Sequence, residues 1–224
     1  MFTCIDLFAG AGGLSYGLGQ EGIESKVAVE IDNDFTKTFK LNHKECHIIN
    51  NDISNIKFDR LNKEQRIGKF DLVCGGPPCQ GFSTVGSKNE KDRRNSLFWQ
   101  FLRAVNEINP KIVLFENVSG FKKLYKGVAF NTLISELHKL GYQTKSEILD
   151  AADYGSPQHR KRTIVIGFKE GILFDFPRPT HSKEGNLFTQ KYNVLSDAIS
   201  DLPNLAPNET KQYYLKSKTV YQKE

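Results

Sequence analysis

Residues 3–14 read Thr3-Cys4-Ile5-Asp6-Leu7-Phe8-Ala9-Gly10-Ala11-Gly12-Gly13-Leu14, passing from an apolar run to a glycine cluster and then into an amphipathic segment. The run 3–8 predicts a strand and 14–21 a helix, which places the glycines on a strand-to-helix turn. Glycines there let backbone amides approach a ligand at a helix amino end, although a tight turn that binds nothing needs them equally.

The same alternation continues outward. Short β-branched runs at 26–31, 47–49, 70–74 and 112–115 predict strands, and the segments 34–42, 96–107 and 130–140 predict helices. Strands alternating with helices imply a doubly wound α/β fold, a mostly parallel sheet covered on both faces. Two further strand-like runs, 143–149 and 162–168, follow one another without a clear helix between them and predict an antiparallel edge pair. Beyond them come Phe176-Pro177-Arg178-Pro179, a polar stretch, one periodic segment at 194–202 and a lysine-rich end. The expected organisation is a catalytic domain over 1–175 and a polar tail over 176–224, which has too few apolar residues for a second core.

A chain of 224 residues with 38% hydrophobic and 25% charged residues has the composition of a folded domain. It contains no apolar run long enough to span a bilayer and no basic, small-residue leader at its start, so a soluble cytoplasmic protein is expected. The net charge of +5 favours an anionic partner only slightly. Cys4, Cys46, Cys74 and Cys79 should be reduced thiols, and their spacings make no zinc site, so no metal is expected. At least one thiol is then available as a reagent.

Chemistry collects at the strand ends. Glu30 follows the second strand about twenty residues after the glycines, where a dinucleotide-type fold presents an acid to ribose hydroxyls. Asp52 beside Ile53 follows the third and suits the amine and face of an adenine, though a helix-capping Asp is the commoner use of such a residue. The turn lacks a strict GxGxxG pattern, which favours a nucleoside with a short charged tail, such as S-adenosylmethionine, over NAD. After the fourth strand comes Gly75-Gly76-Pro77-Pro78-Cys79-Gln80-Gly81-Phe82-Ser83. Two prolines stiffen this loop and hold the Cys79 thiol at the carboxyl edge of the sheet, which is not a packing position. Glu116, in Glu116-Asn117-Val118, ends the fifth strand at the same edge. In Gln158-His159-Arg160-Lys161-Arg162, strand alternation predicts that Gln158, Arg160 and Arg162 share one side, and arginines entering an apolar strand call for an anionic partner.

Taken together, DLFAGAGG (6–13), VEID (29–32), NDI (51–53), GGPPCQGFS (75–83), ENV (116–118) and QHRKR (158–162) resemble the motifs of the bacterial DNA (cytosine-5)-methyltransferases, and the likeness runs from Phe2 to Phe168. The resemblance implies the Rossmann-like fold of S-adenosylmethionine-dependent methyltransferases, with Cys79 as nucleophile, Glu116 as the acid on cytosine, and Arg160 and Arg162 as supports. It implies cofactor contacts from Asp6, Phe8, Gly10, Gly13, Glu30, Ile31, Asp52, Ile53, Pro78 and Leu97. The family often carries an aromatic residue where this chain has Ile31. Gln80, Ser83, Lys88, Arg93 and Arg94 are the implied DNA contacts, the last three from a basic segment that would close over the duplex.

Cytosine C5 is a poor nucleophile, which explains these residue types. A thiolate adding to C6, with Glu116 on N3, gives C5 enamine character. C5 takes the sulfonium methyl, and loss of its proton expels Cys79. The base must leave the duplex stack for this to occur. The resemblance further implies double-stranded DNA as partner, a bacterial restriction-modification setting, and a target-recognition domain with two more motifs beyond 194–202. A second polypeptide carrying those parts, or a fragment that binds cofactor or DNA without turnover, are the alternatives. A related tRNA methylase would carry a Cys-Phe-Thr that this sequence lacks, and a nicotinamide dehydrogenase leaves the Pro-Pro-Cys and ENV motifs unexplained.

Overall fold

The computed structural model describes residues 2–64, 69–78, 93–200 and 202. Strand and helix alternate from the start, as β1 (Phe2–Leu7), α1 (Gly13–Gln20), β2 (Ile23–Glu30), α2 (Asn33–Asn42) and β3 (His47–Asn50). A helix absent from the sequence expectation, α3 (Phe58–Glu64), precedes β4 (Leu72–Gly75). It is too short for a periodic pattern and is held instead by burial of Phe58 and Leu61. Glu107 helps by accepting the Phe58 N–H at 3.0 Å. Then come α4 (Arg93–Ile108), β5 (Ile112–Val118), α5 (Val128–Lys139), β6 (Gln143–Asp150) and β7 (Lys161–Phe168).

These seven strands form one sheet in the order β3-β2-β1-β4-β5-β7-β6. The pairs β2/β3, β1/β2, β1/β4 and β4/β5 are parallel, and β6 with β7 supplies the antiparallel pair expected at the edge. The order reverses between β1 and β4, where Leu7 lies beside Gly75. The glycine loop and the Pro-Pro-Cys loop therefore leave the sheet from adjacent points. Such a reversal opens a crevice outside the strand ends, the usual ligand position in open α/β sheets.

A buried aromatic stack holds the fifth strand end in place. Phe115 packs edge-on against Phe98 and Phe101 of α4, at 6.3 and 5.5 Å between centroids, and lies 5.0 Å from Phe121. All four rings are fully buried. Each such pair adds to the burial of 150–250 Å² per ring typical of aromatics, so truncating any one is expected to cost about 3–5 kcal/mol.

By its internal contacts the chain divides into two units, Met1–Glu147 with Thr163–Asp175, and Ile148–Arg162 with the described part of Phe176–Glu224. The second unit contains a short parallel pair, β8 (His181–Ser182) and β9 (Gln190–Lys191), and the helix α6 (Leu195–Ile199) inside the predicted periodic segment.

Two local expectations are corrected. β2 ends at Glu30, so Ile31 stands beyond the strand, where Asp32 stops it by capping α2 through the Asp34 and Phe35 amides at 2.8 and 3.0 Å. β7 begins only at Lys161, so strand alternation does not set the directions of Gln158 and Arg160. Asp150 decides that segment instead, as described below.

Candidate cofactor and active site

The first loop is locked by its neighbour across the sheet. Glu30 accepts the Gly10 N–H through Oε2 at 2.8 Å and the Asp32 N–H through Oε1 at 2.9 Å. Ala9 N–H bonds the Val29 carbonyl at 3.1 Å, so the loop continues the β1/β2 pairing past the end of β1. Phe8 adopts φ 61, a left-handed conformation that a bulky side chain takes only where the surroundings enforce it.

Asp6 does not reach the crevice. It is buried beneath the loop, where it accepts the Ser15 hydroxyl at 2.6 Å and so ties β1 to the first turn of α1. Burial pushes its carboxyl up to about 6, against the opposing effect of Ser15 and Cys74.

A cavity of about 460 Å³ opens over the strand ends. Phe8, Val29, Glu30 and Ile31 line one part of it, Asn51, Asp52, Ile53 and Ser54 another, and Pro78 and Leu97 the side beyond the strand-order reversal. Ile31 is 66% exposed, an apolar face with no protein cover. Asp52 serves as the cap weighed for it and stands at the cavity as well. It caps the 3₁₀ turn Ile53–Asn55, accepting the Ser54 N–H at 2.9 Å and hydroxyl at 2.7 Å, and it also lines the cavity. Of the ten residues expected around a cofactor, Asp6, Gly10 and Gly13 are not in the lining, being respectively the buried anchor, the loop amide bonded to Glu30, and the first residue of α1.

At the β4 and β5 ends the backbone is set by a residue to which the sequence assigned no role. Asn117, itself buried, donates its side-chain amide to the Pro77 carbonyl at 2.9 Å and accepts the Val118 N–H at 3.0 Å. Pro77 stands two residues before Cys79 in sequence, so Asn117 fixes the root of that loop. A Cβ on Gly76 would lie 2.8 Å from Glu116 Oε2 and 3.3 Å from the Glu116 carbonyl oxygen, so a side chain there would displace the Glu116 carboxylate. The position of Asn117 inside the ENV motif was the available signal. Cys79, Gln80, Ser83 and Lys88 lie outside the described residues. Arg93 and Arg94 open α4, and their side chains also lie outside them.

In the second unit, Asp150 organises the arginine motif. Its Oδ1 accepts the Arg160 N–H at 2.9 Å and the Ala152 N–H at 3.3 Å, while Oδ2 meets His159 Nδ1 at 3.0 Å. Burial raises the Asp150 carboxyl, and the His159, Ala152 and Arg160 donors together hold it below the ordinary range. Tyr192 packs edge-on against His159 at 5.3 Å and donates its hydroxyl to Asp153 at 2.6 Å. Arg160 is exposed and Arg162 half-buried, with one Arg162 N–H given to the Lys161 carbonyl at 2.9 Å. Nothing in the sequence marked Asp150, since its partners lie across a turn.

Among the described residues no group of His, Cys, Asp and Glu is arranged to hold a metal ion, and no helix is long and apolar enough to cross a membrane. Cys4 and Cys74 are fully buried, while Cys46 is half-buried and packs against the Phe39 cluster.

An open sheet with this reversal, and an acid-lined cavity reaching both sides of it, defines a doubly wound α/β protein. Within that class the chain belongs to the C-5 cytosine-specific DNA methylases, whose family pattern matches residues 2–224. It is 36% identical over 210 residues to the type II methyltransferase M1.HphI of Haemophilus parahaemolyticus, covering 92% of this chain and 54% of that protein. It is 36% identical over 222 residues to M.AquIA of Picosynechococcus, covering 91% of this chain and 90% of that one. Among solved structures, a DNA modification methyltransferase encoded in an E. coli prophage superposes with a TM-score of 0.74 at 31% identity, covering 92% of this chain and 56% of that one. Spodoptera frugiperda DNMT2 shares the fold at a TM-score of 0.69 and 21% identity, over 92% of this chain and 61% of that one. The chain spans about half the length of M1.HphI and of M.AgeI, 54% and 56%.

Proposed function

We propose that this chain is the catalytic portion of a DNA (cytosine-5)-methyltransferase of a bacterial restriction-modification system, acting in the cytoplasm on a flipped-out cytosine in double-stranded DNA. The observation that carries the reading is the convergence of Phe8, Glu30, Ile31, Asp52, Ile53, Pro78 and Leu97 on one cavity at the sheet edge. The Cys79 loop leaves that edge, and Glu116 sits on the next strand end. Family membership and the type II relatives support it.

The cavity residues fit S-adenosylmethionine. Glu30 suits its ribose hydroxyls, Asp52 the adenine amine, and Ile31, Ile53 and Phe8 the faces of the purine. When bound, it supplies an electrophilic methyl group. The chain's own residues do the rest. The Cys79 thiolate bonds to cytosine C6 while Glu116 holds a proton at N3, and the C5 proton leaves as the Cys79–C6 bond breaks, restoring both thiolate and aromatic ring. Arg160 and Arg162 support this chemistry, and Gln80, Ser83, Lys88, Arg93 and Arg94 contact the DNA. Asn117 holds the root of the nucleophile loop through Pro77.

The test is incubation of the full chain with tritiated S-adenosylmethionine and DNA, together with trapping on 5-fluorocytosine DNA. The parent should label DNA and form a covalent adduct, and Cys79→Ser should abolish both. Label transfer by Cys79→Ser at the parental rate would overturn the mechanism.

A second reading is favoured by one observation, that the chain matches about half of M1.HphI but 90% of M.AquIA. In it, the chain binds cofactor or DNA and turns over only when a second polypeptide supplies a target-recognition domain. Label transfer appearing solely on addition of such a polypeptide would select this reading.

A further inference from the structure

The glycine loop is tied to α2 at both ends of that helix. At the amino end, Glu30 bonds Gly10 and Asp32 together, and Asp32 caps the helix. At the carboxyl end, His43 is the first residue past α2, and its Nε2 lies 2.9 Å from the Gly12 carbonyl oxygen. Its ring rests on buried Phe39 at 4.4 Å between centroids, which fixes the direction of the imidazole.

Gly12 is the residue from which α1 starts, and no side chain caps this helix. Its carbonyl also accepts the first helical bond, from Tyr16 N–H at 2.9 Å. One oxygen thus joins α1 and α2. A carbonyl only accepts, so His43 Nε2 carries the proton, in either the neutral Nε2–H tautomer or the imidazolium. Gly12 has φ 94, and a Cβ there would fall 2.4 Å from His43 Nε2 and 2.8 Å from Phe39. The imidazole fills the space that a side chain at 12 would need. His43 itself is not part of the cavity that Glu30 and Asp52 line; it borders a separate one of about 400 Å³ with Ser25 and Cys46.

We infer that His43 is a positioning residue for the cofactor. It holds the Gly12 carbonyl, and through it the turn that places Phe8 and, by the Gly10–Glu30 bond, Glu30 at the cavity, and it acts on cofactor affinity without touching the cofactor. The inference rests on the reading of the glycine turn as the S-adenosylmethionine loop.

The test is calorimetric binding of S-adenosylmethionine by the full chain and by H43F, H43A and H43Q, at a temperature where circular dichroism finds each variant folded. H43F keeps a ring against Phe39 but has no N–H to donate, and H43A removes both features. Loss of the bond should weaken binding roughly tenfold, the scale of one hydrogen bond. H43Q, whose amide donates over a similar reach, should recover part of that loss. Parental affinity in whichever of H43F and H43A folds would overturn the inference, as would a lowered melting temperature in the absence of cofactor with affinity unchanged. Failure of the parent itself to bind would count against the cofactor reading instead, so the two failures are distinguishable.

Discussion

The glycine turn at residues 8–13 and the turn before the arginine motif at 151–160 solve one problem with one device, and they differ in what the device faces. In both, a carboxylate accepts backbone N–H groups that the neighbouring strands and turns leave without a carbonyl partner. Glu30 does this for Gly10 and Asp32 from a half-buried position and still lines the cavity. Asp150 does it for Ala152 and Arg160 while 6% exposed, with His159 on its second oxygen. The first acid holds its loop and also lines a cavity. The second is spent on shape. A charged acceptor on several donors is thus no mark of a binding site by itself; exposure to a cavity separates the two uses.

Charge burial sharpens the contrast most. The Asp6 carboxyl below the glycine turn is raised from 3.8 to about 6, whereas Asp150 is lowered. Below pH 3.8 Asp6 is protonated in both folded and unfolded chains; between 3.8 and 6 only the folded chain keeps the proton; above 6 the folded chain carries the full cost of a buried charge. Stability contributed at this site therefore falls as pH rises through that window, by roughly 3 kcal/mol for a shift of about two units. Denaturation of the parent and of Asp6→Asn from pH 3.5 to 7 should give a difference curve with that sign, and a flat difference would remove the buried charge from the account. Asp150 has the opposite sign, its stabilisation being present at neutral pH and lost as pH falls through its lowered value.

The next effect separates ligand binding from shape. Glu30→Ala removes the acceptor for Gly10 and a cavity carboxylate together, so S-adenosylmethionine affinity should drop about thirty- to a hundredfold in calorimetry, on the scale of hydrogen bonds to a charged group. Asp150→Ala should instead lower unfolding stability by about 2 kcal/mol, read by denaturant titration, while leaving cofactor affinity within about twofold. An equal loss of cofactor affinity in the two variants would break the distinction between them.

The strands, most of the helices and the acids at their ends were legible because periodicity and turn residues are local properties. So was the place of Glu30, since β2 must bring its end beside the end of β1. The misplaced features share a cause. Alternation was extended back to Gln158 and Arg160 because nothing local shows that β7 starts at Lys161, and α3 was missed because seven residues hold too little pattern. Asp52 was legible only as a choice between cap and ligand contact, and it turned out to stand where both are possible.

What the sequence determined by itself is the alternating architecture, the glycine turn after β1, and the chemistry on offer at each strand end. Only the tertiary structure decided which side chains hold those ends still. Asn117 reaches Pro77 across 40 residues and His43 reaches Gly12 across 31. Such bonds depend on strand order and helix packing, which bring distant backbone groups within 3 Å of each other. A side chain's identity states what it can donate or accept, and the fold alone selects the partner.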